Sequence, residues 1–212
     1  QAVTGLSFED YIKQHIFAPL DMQHSYVSEE EARQDGIAQG YRWWFGYPLP
    51  ARLPFNRANL PAGFFISSAE DMAHFMIAQM NGGSYQGVSV LSPEGMAILH
   101  TEPPPGIYGM GWESVRLDGR RLINHDGATG NYQGSIFMDP EGQVGVFVAA
   151  NVMNGLDGLS APRSSTSLGN ASALITTRIM AYSLLNLATG QPLPRQGPGF
   201  RLVSLIASLL IL

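Results

Sequence analysis

Three consecutive prolines, Pro103–Pro105, divide the chain into two segments with different hydrophobic periods. Proline cannot continue a helix or a central strand, so neither pattern runs across them. Before the prolines the apolar residues recur at helical spacing. Ser7 is placed to cap a helix reaching about Phe17, with Asp10 three residues on and Phe8, Tyr11, Ile12 and Ile16 along one face. Pro19 ends it. Ser68 and Asp71 open a second helix, whose stripe is Met72, Phe75, Met76 and Met80 and whose stop is Asn81-Gly82-Gly83. Ser92-Pro93-Glu94 starts a third, reaching about His100, with proline at the first helical position and an acid in the first turn. Residues 28–36 read as a solvated helical turn or loop, and Pro50–Pro61 as loop.

After the prolines the chain reads as strands. Tyr108–Leu117 and Arg120–Asp126 are joined by Asp118-Gly119, a two-residue hairpin signal. Gln133–Met138 and Gln143–Ala150 flank the turn Asp139-Pro140-Glu141-Gly142. Residues 144–150 are apolar on both faces, which predicts a central strand covered on both sides. Leu156–Gly169 is a Gly/Ser-rich loop, and Ala173–Ala188 is an amphipathic helix ending at Gly190. The whole predicts an α+β fold, an antiparallel sheet flanked by helices with a helical subdomain. One domain covers 1–190, with 1–105 mostly helical and 106–190 holding the strands and the C-terminal helix. Residues 191–201 form a Pro/Gly linker. Leu202–Leu212 is apolar except for Ser204 and Ser208 and reads as the start of a transmembrane helix, which needs about 20 residues in all, or as an apolar terminal helix packed on the domain.

Composition removes several classes of function. Apolar residues make up 45% and charged ones 14%, too apolar a balance for a disordered chain. The net charge of −5 argues against a nucleic-acid binder that works by neutralising phosphates. The absence of cysteine excludes disulfides, a thiolate nucleophile and zinc–thiolate sites. Lys13 is the sole lysine, so a lysine-dependent mechanism must use it or go without. Neither phosphate-binding glycine loop occurs, nor does the zinc-protease His-Glu-x-x-His, nor a Gly-x-Ser-x-Gly elbow. His15, His74 and His100 lie on predicted helices with no second ligand at metal spacing and read as structural. His24, in a loop, receives no role. His125 stands apart, at a strand end within Asn124-His125-Asp126-Gly127-Ala128-Thr129-Gly130. A titratable ring there sits beside backbone that a ligand can approach closely, and an exposed N–H can donate to an oxyanion. A plain polar turn remains the alternative.

Four segments in order resemble the serine beta-lactamase-related family of class C beta-lactamases, DD-peptidases and related esterases. They are residues 4–25, 60–83, 90–101, and 108–113 with 124–152. The resemblance implies a beta-lactamase/transpeptidase-like fold and acyl transfer, or hydrolysis of an amide or ester, with no cofactor and no metal. His125-Asp126-Gly127 is similar to the family's His-x-Gly element. By that resemblance His125 assists the substrate, Gly127 belongs to the same catalytic element, the Ala128 N–H is an oxyanion donor, and Asp126 contacts substrate. Trp43 and Trp44, in the aromatic run 41–47, fall where the family places a loop near the cleft, and are read as an apolar substrate wall or a membrane-surface contact. The alternative for that run is a small aromatic core.

The family's Ser-x-x-Lys and Tyr-x-Asn are absent from this sequence. Both precede the matched segments in the family, so nucleophile and general base are expected upstream of Gln1, with the N-terminal part of the domain, including strands that complete the sheet, missing. On that expectation the chain alone is inactive. A non-catalytic binding or regulatory relative is the alternative. The resemblance further implies a small-molecule or peptide substrate and an extracytoplasmic location, attached to the cytoplasmic membrane through the C-terminus.

Overall fold

A computed structural model describes residues 2–44, 47–52, 55–104, 108–117, 119–129, 131–153 and 175–193. Helix α1 (Phe8–Ile12) runs on through a π-helical stretch at Lys13–Phe17. Ser7 caps it as expected, accepting the Asp10 N–H at 3.0 Å and donating to the Asp10 carboxylate at 2.6 Å. Beyond Pro19, Asp21 takes the left-handed turn at φ +54°, a conformation that aspartate tolerates because its short polar side chain can bond locally. Helix α2 (Glu29–Asp35) is a full element, capped by Ser28 and ended by Gly36 at φ +101°.

Strands β1 (Tyr41–Trp44) and β2 (Tyr47–Pro50) form an antiparallel hairpin. A 3-10 turn at Arg57–Ala62 leads to α3 (Ala69–Met80). The short hairpin β3 (Ser84–Tyr85) and β4 (Val88–Ser89) follows, then α4 (Pro93–Leu99), capped by Ser92. Strands β5 (Glu113–Leu117), β6 (Arg120–Thr129), β7 (Tyr132–Asp139) and β8 (Val144–Ala150) make a four-stranded antiparallel sheet in sequence order. β9 (Val152–Met153) leaves it to pair in parallel with β1, and α5 (Ile175–Ala188) covers one face.

Alternating side chains divide the sheet between two layers. Leu122 and Phe137 are fully buried against Ala181, Tyr182 and Leu185 of α5. Ile123, Ile136 and Met138 face the other way, onto Met76 of α3 and Trp112. The helical subdomain has its own core around Leu20, Met22, Val27, Leu60 and Ala78. Asp71, in the first turn of α3, is 2% exposed. Its carboxylate accepts the His24 N–H at 2.8 Å and the Ser25 hydroxyl at 2.6 Å, tying the turn after the first helix to the start of α3.

Several expectations change. β8 is the edge strand of the described sheet and not a central one. Its apolar faces reflect packing by α3 on one side and α5 on the other; that pattern reports layers above and below, not neighbours within the sheet. The aromatic run 41–47, expected as loop, contributes a strand and the start of its partner. Tyr108–Gly111 is not strand. The Gly109 N–H donates to the Trp112 carbonyl at 3.0 Å and Gly111 sits at φ +84°, so the chain turns there before β5. No helix among the described residues is long and apolar enough to cross a membrane. The Leu156–Gly169 loop and the apolar segment 202–212 lie outside the described residues, as does most of the 191–201 linker.

Candidate active site

β6 carries the His-Asp-Gly element and is built so that its two ends differ. From Arg120 to Asn124 it pairs with β5, and from Ile123 onward with β7. From His125 to Thr129 only β7 pairs with it among the described residues, through His125↔Ile136, Gly127↔Gly134 and Ala128↔Gln133. Alternate N–H groups along the other edge therefore lack a ladder partner among the described residues, the condition that an oxyanion donor requires. A Cβ built on Gly127 would meet nothing within 4 Å, so the face it shares with His125 is open to close approach.

His125 is exposed but held. Its Nδ1 lies 2.5 Å from the Tyr108 hydroxyl, and its ring meets Trp112 edge-on at 6.3 Å and 82°. Trp112 is buried, stacks on Phe75 of α3 at 6.3 Å, and is met edge-on by His100 at 5.9 Å. The indole thus fixes the site strand against the helical subdomain. Burial pushes the Tyr108 phenol above its ordinary pKa, with Glu113 and Asp126 adding to the shift. It is therefore a neutral hydroxyl across the working pH range.

Asp126 is placed otherwise than expected. Strand alternation turns its carboxylate to the α5 face, where it pairs with Arg178. The same guanidinium reaches Glu113 of β5 at 3.4 Å, and Glu113 accepts from Asn124 at 3.0 Å. Asp126 and Glu113 thereby anchor β6 and β5 to α5, on the face opposite His125.

β1 lies beside the tip of the β6–β7 hairpin. Arg42 donates to Asn131 at 2.9 Å, Asn131 donates to the Ala51 carbonyl at 2.8 Å, and Tyr132 donates to the Ala38 carbonyl at 2.7 Å. β1 is thereby held beside that tip, with Trp43 and Trp44 in register with Pro48 and Tyr47. Their side chains lie outside the described residues. Two surface clefts, one around Phe8, Arg57 and Pro61 and one around Lys13, Phe17 and Tyr26, are not lined by His125, Gly127 or Ala128. No group of three or more metal-ligating side chains is placed together among the described residues.

The remaining histidines have local partners. His74 Nδ1 faces the Leu20 and Asp21 carbonyls, and its ring stacks on Tyr85. His100 Nε2 lies 2.8 Å from Gln79 Oε1, and burial, then Arg121, lowers its pKa. Lys13 pairs with Glu31 at 2.6 Å. His24 and Tyr26 both donate to Asp35, each at 2.6 Å. The hydrogen bond from Tyr26, then that from His24, lowers Asp35. The same bonds to Asp35 raise His24 and push Tyr26 to about 12.

The signs follow from linkage. The His24 contribution is full below 6.5 and is lost as pH rises through its raised value. The Asp35 contribution is present above 3.8 and is lost as pH falls through its lowered value. Replacement Asp35→Asn is expected to bring the Tyr26 ionisation down from about 12 towards 10.0. His24 should fall towards 6.5 in the same NMR titration. A Tyr26 midpoint still near 12 in that variant would rule out Asp35 as the cause.

Sequence reasoning missed Tyr108 and Trp112 as partners of His125. The signal was present in the glycine pair 109 and 111, which breaks a strand where the aromatics were read as one.

The Beta-lactamase family model matches residues 1–166. Protein flp of Staphylococcus aureus (strain MW2) is 27% identical over 153 residues, covering 72% of this chain and 30% of that protein. The unguisins hydrolase ungD' of Aspergillus campestris is 29% identical over 167 residues, covering 71% and 30%. This chain therefore spans about a third of the length of the curated relatives it matches. Among solved structures, the octameric penicillin-binding protein homologue from Pyrococcus abyssi superposes with a TM-score of 0.70 at 27% identity, covering 92% of this chain and 41% of that one. A class C beta lactamase from Rhodobacter sphaeroides superposes at 0.59 and 21% identity, covering 71% and 51%, a likeness of fold. The mixed helix and antiparallel-sheet architecture agrees with these neighbours, and with a family model that takes in both the helical subdomain and the site strand, the chain belongs to the Beta-lactamase family.

Proposed function

We propose that this chain supplies one wall of a serine-hydrolase site that transfers or hydrolyses an acyl group from an amide or ester. The observation that carries the reading is the half-paired strand β6, with His125 and Gly127 on one open face and, among the described residues, no strand paired to the edge beside Ala128. In this reading a serine from a Ser-x-x-Lys helix preceding Gln1 attacks the carbonyl. A general base there takes the serine's proton and returns it to the leaving group. The Ala128 N–H stabilises the oxyanion, His125 assists the substrate, and water releases the acyl group. Asp126 acts from behind by holding the strand through Arg178. Trp43 and Trp44 carry the substrate wall. The substrate is a small molecule or a peptide. We assign the domain to the outside of the cytoplasmic membrane, tethered through 202–212, on the family resemblance and the apolar composition of that segment.

The test is fluorophosphonate labelling and p-nitrophenyl ester or nitrocefin turnover by the protein that includes the sequence preceding Gln1. Labelling at the Ser-x-x-Lys serine with turnover is the expected result. An intact Ser-x-x-Lys that neither labels nor turns over either substrate would leave the non-catalytic relative as the reading. Turnover by the 212-residue chain alone, abolished by His125→Ala, would overturn the upstream location of the nucleophile.

A further inference from the structure

A tyrosine hydroxyl has one proton to give, and at Tyr108 its destination can be read from the neighbours. The Gly111 carbonyl oxygen lies 3.0 Å from the hydroxyl, and a carbonyl only accepts. His125 Nδ1 lies 2.5 Å from the same oxygen. If the phenol proton goes to Gly111, the hydroxyl can meet Nδ1 only as an acceptor, so Nδ1 must carry a proton. The turn that presents Gly111 is itself fixed, by the Gly109-to-Trp112 backbone bond and by Gly111 at φ +84°. The Trp112 edge on the ring limits rotation of His125 away from this arrangement.

We propose that Tyr108 is the positioning residue of His125: committed as a donor to the Gly111 carbonyl, it holds the neutral imidazole in the Nδ1–H form and leaves Nε2 as a bare acceptor. This rests on the reading above that His125 assists the substrate, and it narrows what His125 can meet. A neutral ring in this form takes a hydrogen bond from a donor, such as a hydroxyl or an amide N–H, and offers none to a carboxylate. The group that meets Nε2 in the ground state is therefore a donor. The raised phenol pKa acts in the same direction, keeping the Tyr108 proton in place.

The experiment is 15N NMR of the His125 ring in the 212-residue chain, at a pH where the ring is neutral, for wild type and Tyr108→Phe. In wild type the expected result is widely separated shifts, with Nδ1 protonated and Nε2 bare. Phenylalanine keeps the ring but removes the acceptor, so the variant should populate the Nε2–H form and the two shifts should converge. A wild-type ring already in the Nε2–H form overturns the proposal, and so does a Tyr108→Phe spectrum unchanged from wild type. Because the readout needs no turnover, the expected shifts would leave this assignment standing even if the protein that includes the sequence preceding Gln1 neither labels nor turns over ester, a result that would defeat the hydrolase reading alone.

Discussion

Truncation of Phe137 to alanine is expected to cost about 3–5 kcal/mol of folding stability, the range for removing a buried aromatic ring. Phe137 is completely buried in the centre of the α5-facing core. Its ring tilts against Tyr182 at 5.8 Å, and the Arg178 guanidinium lies over it at 5.5 Å. Loss of the ring opens a cavity between β7 and α5. It also removes the surface on which Arg178 rests while it holds Asp126 and Glu113. The cavity term should dominate, because a cation–π contact adds only about 0.5–2 kcal/mol. Urea unfolding followed by tryptophan fluorescence measures the change. A midpoint shift equivalent to less than about 1 kcal/mol would mean that α5 is not packed on the sheet as described.

The second large effect is chemical. In the protein carrying the upstream Ser-x-x-Lys, His125→Ala should lower kcat/KM by about a hundred- to a thousandfold, the cost of losing a group aimed at the reacting centre. The fold should tolerate the change: His125 is exposed, and its loss leaves the core residues Ile123 and Ile136 in place. Circular dichroism and unfolding should therefore match wild type while turnover falls. Activity within about threefold of wild type, with ordinary folding, would remove His125 from the site.

Much of this was legible because the signals are local. Ser7, Ser68 and Ser92 each announce a helix that starts at the next residue, and each side chain accepts an N–H within that helix's first turn. Asp118-Gly119 marks a hairpin whose strands do pair. The strand status of residues 41–44 was not legible. β1 is held by β9, more than a hundred residues away, and by side chains such as Asn131 and Asn151 that reach its backbone or its neighbours. Such long-range pairing leaves no period in a stretch this short, and the prolines 48 and 50 argue for loop until an edge position is known. The site divided in the same way. His125 and Gly127 were singled out as a histidine and a glycine at a strand end and by likeness to His-x-Gly, whereas Tyr108 and Trp112 depend on a turn whose shape no local rule specifies. Asp126 was assigned by motif to the ligand side, but strand alternation sends it to α5.

That alternation makes the chemistry of the site a matter of parity. His125 and Asp126 differ by one position and look to opposite faces of the sheet, one towards Trp112 and one towards Arg178. One extra residue between Gly119 and His125 would exchange them if the register with β5 were kept and that with β7 slipped by one. A carboxylate would then stand on the Trp112 face, an imidazole would press against a guanidinium, and Arg178 would lose one of its counter-charges. Loop lengths on either side of β6 can vary across related chains at little cost. A single-residue slip inside that strand would put a negative charge on the wall where a neutral ring stood, so the count of residues in β6 is as much a determinant of function as their identity.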